Sequence, residues 1–116
     1  MRELTCGLLV LFATGCATQI AVTDPFEASA ARDDARARHE ELVQLDRSVA
    51  AAIEDPNACG ETLCPGASRI CELSERICAI AERHPEDDET GGRCRDAEGR
   101  CETARERVAG SCTCAE

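Results

Sequence analysis

Cysteine is the residue type in this chain with the copies and the regularity to do chemistry. There are ten in 116 residues, and eight of them fall in the second half: Cys59, Cys64, Cys71, Cys78, Cys94, Cys101, Cys112 and Cys114. Two chemistries suit such a set. One is a disulfide framework, which needs an even number and an oxidising compartment. The other is a thiolate clamp, with Cys59, Cys64, Cys112 and Cys114 as four soft ligands for zinc or copper(I). No Cys-x-x-Cys pair occurs, which weakens a thioredoxin-like redox role. Disulfides are the favoured reading, and the metal clamp is the alternative.

The spacing narrows the pairing. Cys71 and Cys78 are seven apart, as are Cys94 and Cys101. Seven residues are two helical turns, so each pair shares one helix face about 10.5 Å apart along the axis. That is too far for a bridge within a helix, since bridged Cα atoms lie within about 7 Å. Two antiparallel helices bring the pairs together crosswise, as Cys71–Cys101 and Cys78–Cys94. The small residues Ala97 and Ala104 beside them permit close approach. The same hairpin returns the tail to its start, so Cys112 and Cys114 meet Cys59 and Cys64. The nested pairing, Cys59–Cys114 with Cys64–Cys112, is slightly favoured, and its swap stays open. The layout is similar to the twin-cysteine helical hairpins of mitochondrial intermembrane-space proteins. Those use ten-residue or four-residue steps, so the likeness is one of geometry.

A second motif stands near the start. An apolar run from Leu4 to Ala13 ends in Ala13-Thr14-Gly15-Cys16. The run is too short to span a bilayer, which takes about 20 residues, and has the length of a signal-peptide core. The ending resembles the lipobox of bacterial lipoproteins, with Ala13 where that family prefers Leu. The resemblance covers the first 17 residues. It implies removal of residues 1–15, a diacylglyceryl thioether on Cys16, and acylation of the new amino group. Ala17, not Asp, follows the cysteine, which in the family's sorting scheme implies the outer membrane rather than the inner. Cys6 would leave with the signal, and eight cysteines would remain for bridges. The cysteine-rich remainder resembles small lipoproteins of myxobacterial type.

Helices must position these groups. Residues 16–23 form a short tether. Asp24-Pro25-Phe26-Glu27 has the pattern of a helix start, with Asp24 as cap, Pro25 in first position and Glu27 completing a capping box. A helix over 24–55 follows, stopped at Asp55-Pro56. Its seam is Ala31, Ala35, Arg38, Leu42, Leu45, Val49 and Ala52. The alanine-rich first half is expected to be a stalk and the second half to pack. Residues 56–116 form the cysteine-rich hairpin: a loop over 57–66, a helix over 67–84, a turn over 85–92 holding Glu86 to Glu89, and a helix over 93–109 ended by Gly110. The expected fold class is all-α, a small disulfide-stapled domain.

Composition excludes several functions. The net charge is −10, every basic residue is arginine, and no basic stripe exists to grip nucleic acid. With no Trp, no Tyr and two Phe, stacking platforms are missing. His39 and His84 stand apart in the sequence and are expected at the surface. The acidic turn lacks the spaced ligands of a calcium loop. No catalytic or cofactor-binding constellation is evident, so no enzyme activity and no cofactor are expected. The reading is a lipid-anchored envelope protein, a structural or protein-interaction module, with the membrane as one partner through Cys16 and an envelope protein as the other.

Overall fold

The computed structural model describes residues 24–115. The signal segment 1–15, Cys16 and the tether 16–23 lie outside the described residues. Within them the chain is all-α, and four disulfides staple it. Three helices carry the fold: α1 (Pro25–Ala52), α2 (Cys64–Arg83) and α3 (Asp88–Ser111). A 3-10 turn, Pro56–Ala58, and a π turn, Cys59–Leu63, join α1 to α2.

The start of α1 follows from its first residues. The Asp24 carboxylate accepts the Phe26 N–H at 3.0 Å, and Pro25 fills a position whose missing N–H costs nothing. Asp55 repeats the device after α1, accepting the Asn57 N–H at 2.9 Å. α2 is the central helix. Ile70, Leu73, Ile77 and Ile80 are buried along one side of it, with Leu63 just before. α1 contributes Ala35, Leu42 and Val49, one residue every seven, as a narrow apolar stripe. α3 contributes Ala97, Ala104 and Val108. The ends locate the directions. Arg32 reaches the α2–α3 turn at Asp87 and Asp46 reaches Arg100, so α1 runs parallel to α3. The bridges Cys71–Cys101 and Cys78–Cys94 hold α2 and α3 antiparallel. The result is an up-down-up three-helix bundle.

Three boundaries differ from the sequence reading. The segment 57–66 is not a loop but is wound almost wholly into helical turns. Pro65 and Gly66 read as breakers, yet Pro65 sits in the first turn of α2, where proline is tolerated. Gly66 is buried at the α1–α2 contact, and a Cβ there would lie 2.7 Å from Val49 Cγ2. The glycine is used for close helix approach and not for a turn. The acidic run, expected as a turn, holds the cap and first turn of α3. Asp87 Oδ1 accepts the Glu89 and Thr90 N–H groups at 3.1 and 3.3 Å, and Oδ2 accepts the Thr90 hydroxyl at 2.7 Å. Asp88 and Glu89 then sit where the helix dipole favours anions. α3 also continues past Gly110 to Ser111.

The stalk expectation is corrected too. Docking of α1 begins well before Leu42. Ala35 has no exposed surface, and Arg32 and Arg36 form ion pairs with Asp87 and Glu89 at 3.1 and 3.5 Å. Only the stretch 24–30 projects, exposed apart from half-buried Ala28.

The two kinds of glycine separate in a substitution test. Gly66→Ala is expected to destabilise by roughly 1–3 kcal/mol, because overpacking against Val49 outweighs alanine's better propensity. Gly99 faces open space. Gly99→Ala is therefore expected to stabilise by up to about 1 kcal/mol. Urea melts of both variants check this, and a Gly66→Ala protein as stable as Gly99→Ala would contradict the close contact.

Candidate functional site

The chemistry-bearing residues fall into two groups, the bridges and a polar seam between α1 and α3. Along the hairpin the bridges are Cys78–Cys94 near the α2–α3 turn, Cys71–Cys101 at mid-length, and Cys59–Cys112 with Cys64–Cys114 at the far end. Cα separations are 4.7 Å for the first two and 5.6 Å for the last two, all inside the range a disulfide needs.

The far end corrects the favoured pairing. Cys59 joins Cys112, not Cys114, and Cys64 joins Cys114, not Cys112. The reason is the length of α3. The register that sets Cys71 against Cys101 and Cys78 against Cys94 continues while α3 stays helical. Because the helix lasts through Ser111, it carries Cys112 to the level of Cys59. At Cys112 the backbone turns extended, with φ −135° and ψ 153°, and the tail swings Cys114 across to the first residue of α2. A helix that ended at residue 109 would not have imposed this order.

The four-thiolate clamp is therefore taken up by two disulfides. Among the described residues, the group of sulfur and carboxylate atoms close enough to share a cation lies elsewhere, at Cys78, Cys94 and Glu98. Both of its sulfurs are already bonded to each other. Glu98 Oε1 lies 3.1 Å from Cys78 Sγ and 3.2 Å from Cys94 Sγ, a carboxylate in contact with the bridge and not part of a ligand set. All eight cysteines of the described residues are bonded in pairs.

No known family matches this chain. No curated protein and no solved structure is significantly similar to it either.

The polar seam was not legible as a unit. His39 Nε2 lies 2.6 Å from Asp96 Oδ2. Arg100 donates Nε–H to the same oxygen at 2.9 Å and Nη1–H to Asp46 Oδ2 at 2.6 Å. This chain of four side chains crosses twice from α1 to α3. Burial pushes the Asp96 carboxyl up, but the hydrogen bonds from His39 and Arg100 outweigh it and hold the group below its ordinary range. Asp87 behaves alike: burial raises it, and the Thr90 and Arg32 hydrogen bonds bring it lower. Asp96 and Arg100 lie four residues apart on one helix. Asp46 and His39 lie more than fifty residues away from their partners, and nothing local signals them.

The surface expectation for the histidines is corrected. His84 is buried, with Nδ1 3.5 Å from Glu86 Oε1, and it closes the C-terminal end of α2. His39 is half-buried in the seam. Their acidic neighbours are Asp96 and Glu86, and among the described residues neither histidine is hydrogen-bonded to a hydroxyl or thiol that it could activate. An open groove runs along the bridged end, floored by Cys64, Val108, Ala109 and Cys112. The arrangement sets cross-linked sulfurs on one side of α3 and an ion-paired seam on the other.

Proposed function

We propose that this chain is a lipid-anchored cell-envelope protein that works by contact, as a structural or protein-interaction module, and not by catalysis. One observation carries the reading: Ala13-Thr14-Gly15-Cys16 ends a short apolar run, and the eight cysteines beyond residue 56 are all spent in bridges, so Cys16 alone is spare for a lipid once Cys6 has gone with the signal. Four disulfides belong to an oxidising, exported environment. No described helix is long and apolar enough to cross a membrane. Attachment would then rest on acyl chains at Cys16. Each buried methylene adds about 0.8 kcal/mol, and two or three chains anchor stably where one does not. Ala17 after the cysteine favours the outer membrane. The rigid bundle, acidic and studded with arginines, is the contact surface for an envelope protein, and capture should weaken with salt because charge pairing is screened.

The test is metabolic labelling with an alkyne-bearing fatty acid in a bacterial host, followed by mass analysis of the mature protein. The full-length chain is expected to take up label and to begin at Cys16. Cys16→Ser is expected to remain unlabelled and uncleaved. A mature N-terminus elsewhere, with no acyl mass, overturns the anchor. Cross-linking in intact cells then seeks one stoichiometric envelope partner, and its absence at all salt concentrations counts against the contact role.

A further inference from the structure

The tip of α1 carries a large apolar side chain that no described residue covers. Among the described residues Phe26 is the exposed large hydrophobic side chain, at 81% exposure. It sits in the first turn of a helix that projects beyond the bundle. The first ion pair binding α1 to the hairpin is at Arg32, so about one and a half turns stand clear of the α2–α3 turn. The tip is nonetheless ordered for helix, because Asp24 caps it and Pro25 starts it. A lone exposed apolar side chain needs no explanation in general. This one is singled out by its distance from Cys16.

We propose that Phe26 is a second, non-covalent membrane contact that enters the interface of the bilayer holding Cys16. The inference rests on the lipid-anchor reading and adds to it which face of the protein meets the lipid. Phe26 is ten positions after Cys16. Ten residue steps, even fully extended, reach no more than about 36 Å. The anchor thus keeps the ring within reach of the surface, and the contact is intramolecular. Aromatic rings settle at the level of lipid headgroups. Charge decides how the helix stands. Asp24 and Glu27 flank the ring, and the whole chain carries −10. An anionic lipid surface repels such a bundle, so α1 meets the membrane end-on through Phe26 and does not lie along it. A second copy of the chain is a poorer occupant, because it must arrive by diffusion, whereas the bilayer is kept within ten residue steps of the ring by the anchor.

The chain contains no tryptophan, so Phe26→Trp provides a single fluorophore at an exposed site where the fold tolerates it. The lipidated full-length variant is placed in vesicles of phosphatidylethanolamine and phosphatidylglycerol, with and without brominated acyl chains. Floating vesicles are expected to carry the protein, with the emission of the introduced indole blue-shifted and mostly lost to bromine. A protein that floats while its indole keeps the spectrum and intensity of a water-exposed ring overturns the contact and leaves the anchor standing. A blue shift that grows with protein density, without quenching by bromine, overturns it in favour of a second copy. A protein that carries no lipid and does not float overturns the anchor, and the contact with it.

Discussion

Complete reduction of the four bridges is expected to unfold the α2–α3 hairpin without denaturant. The apolar side of α3 is too small to hold it. Its buried apolar residues are Ala97, Ala104 and Val108, while Leu and Ile are concentrated on α2. The bridges close separations of 53, 50, 30 and 16 residues. Taken singly, each is worth about 3–4 kcal/mol in the chain-entropy treatment, against total stabilities of about 5–15 kcal/mol for small domains. The loops overlap, so the contributions do not add in full, but their combined loss exceeds what this core supplies. Far-ultraviolet circular dichroism and amide exchange, read beside a thiol titration, check the result. Eight free thiols with undiminished helix signal and a cooperative melt would contradict it.

Leu42→Ala is expected to release α1 while the hairpin stays folded. No cysteine lies between residues 24 and 55, so α1 is held by packing and ion pairs alone. Leu42 is fully buried near its middle. Truncating such a leucine costs about 2–5 kcal/mol. Of the cross-helix pairs, Arg36–Glu89 and Glu41–Arg69 involve side chains open to solvent, while Arg32–Asp87 and Arg100–Asp46 each set a largely buried carboxylate against an arginine that is one-third or more exposed. The open pairs contribute about 0–1 kcal/mol each, and all four depend on the register that Leu42 packing sets, so they cannot replace the leucine. Amide protection along α1 should fall about thirty-fold or more, while protection in α2 and α3 persists behind the bridges. Loss of protection in all three helices together would show that the bundle is one cooperative unit and that α1 supports the hairpin.

Both expectations depend on features that differ in how openly the sequence displays them. The seven-residue steps of Cys71/Cys78 and Cys94/Cys101 were legible because a helix converts spacing into direction by local geometry alone. The buried Ala35, Leu42 and Val49 obey the same rule. The seam containing His39, Asp46, Asp96 and Arg100 was not legible. It forms only when α1 lies parallel to α3 at one particular register, and four charged or polar residues on helix surfaces look alike until the helices are laid together. Pro65 and Gly66 show a different failure. A Pro-Gly pair signals a turn by propensity, but proline also suits the first turn of a helix and glycine also suits a close crossing. Which meaning applies depends on what lies opposite, here Val49.

The sequence by itself determined the helical class, the start of α1 at Asp24-Pro25, and the crosswise bridges at the middle of the hairpin. All of these are set by interactions within a few residues or by a period that every α-helix shares. Only the tertiary structure decided the order at the far end, where Cys59 takes Cys112 and Cys64 takes Cys114. Two cysteines separated by one residue can each reach either partner, and the choice turns on how far α3 continues before its backbone becomes extended. That length is the outcome of the Asp87 cap at one end and the packing of Val108 near the other, at opposite ends of the helix, and no short-range pattern records it.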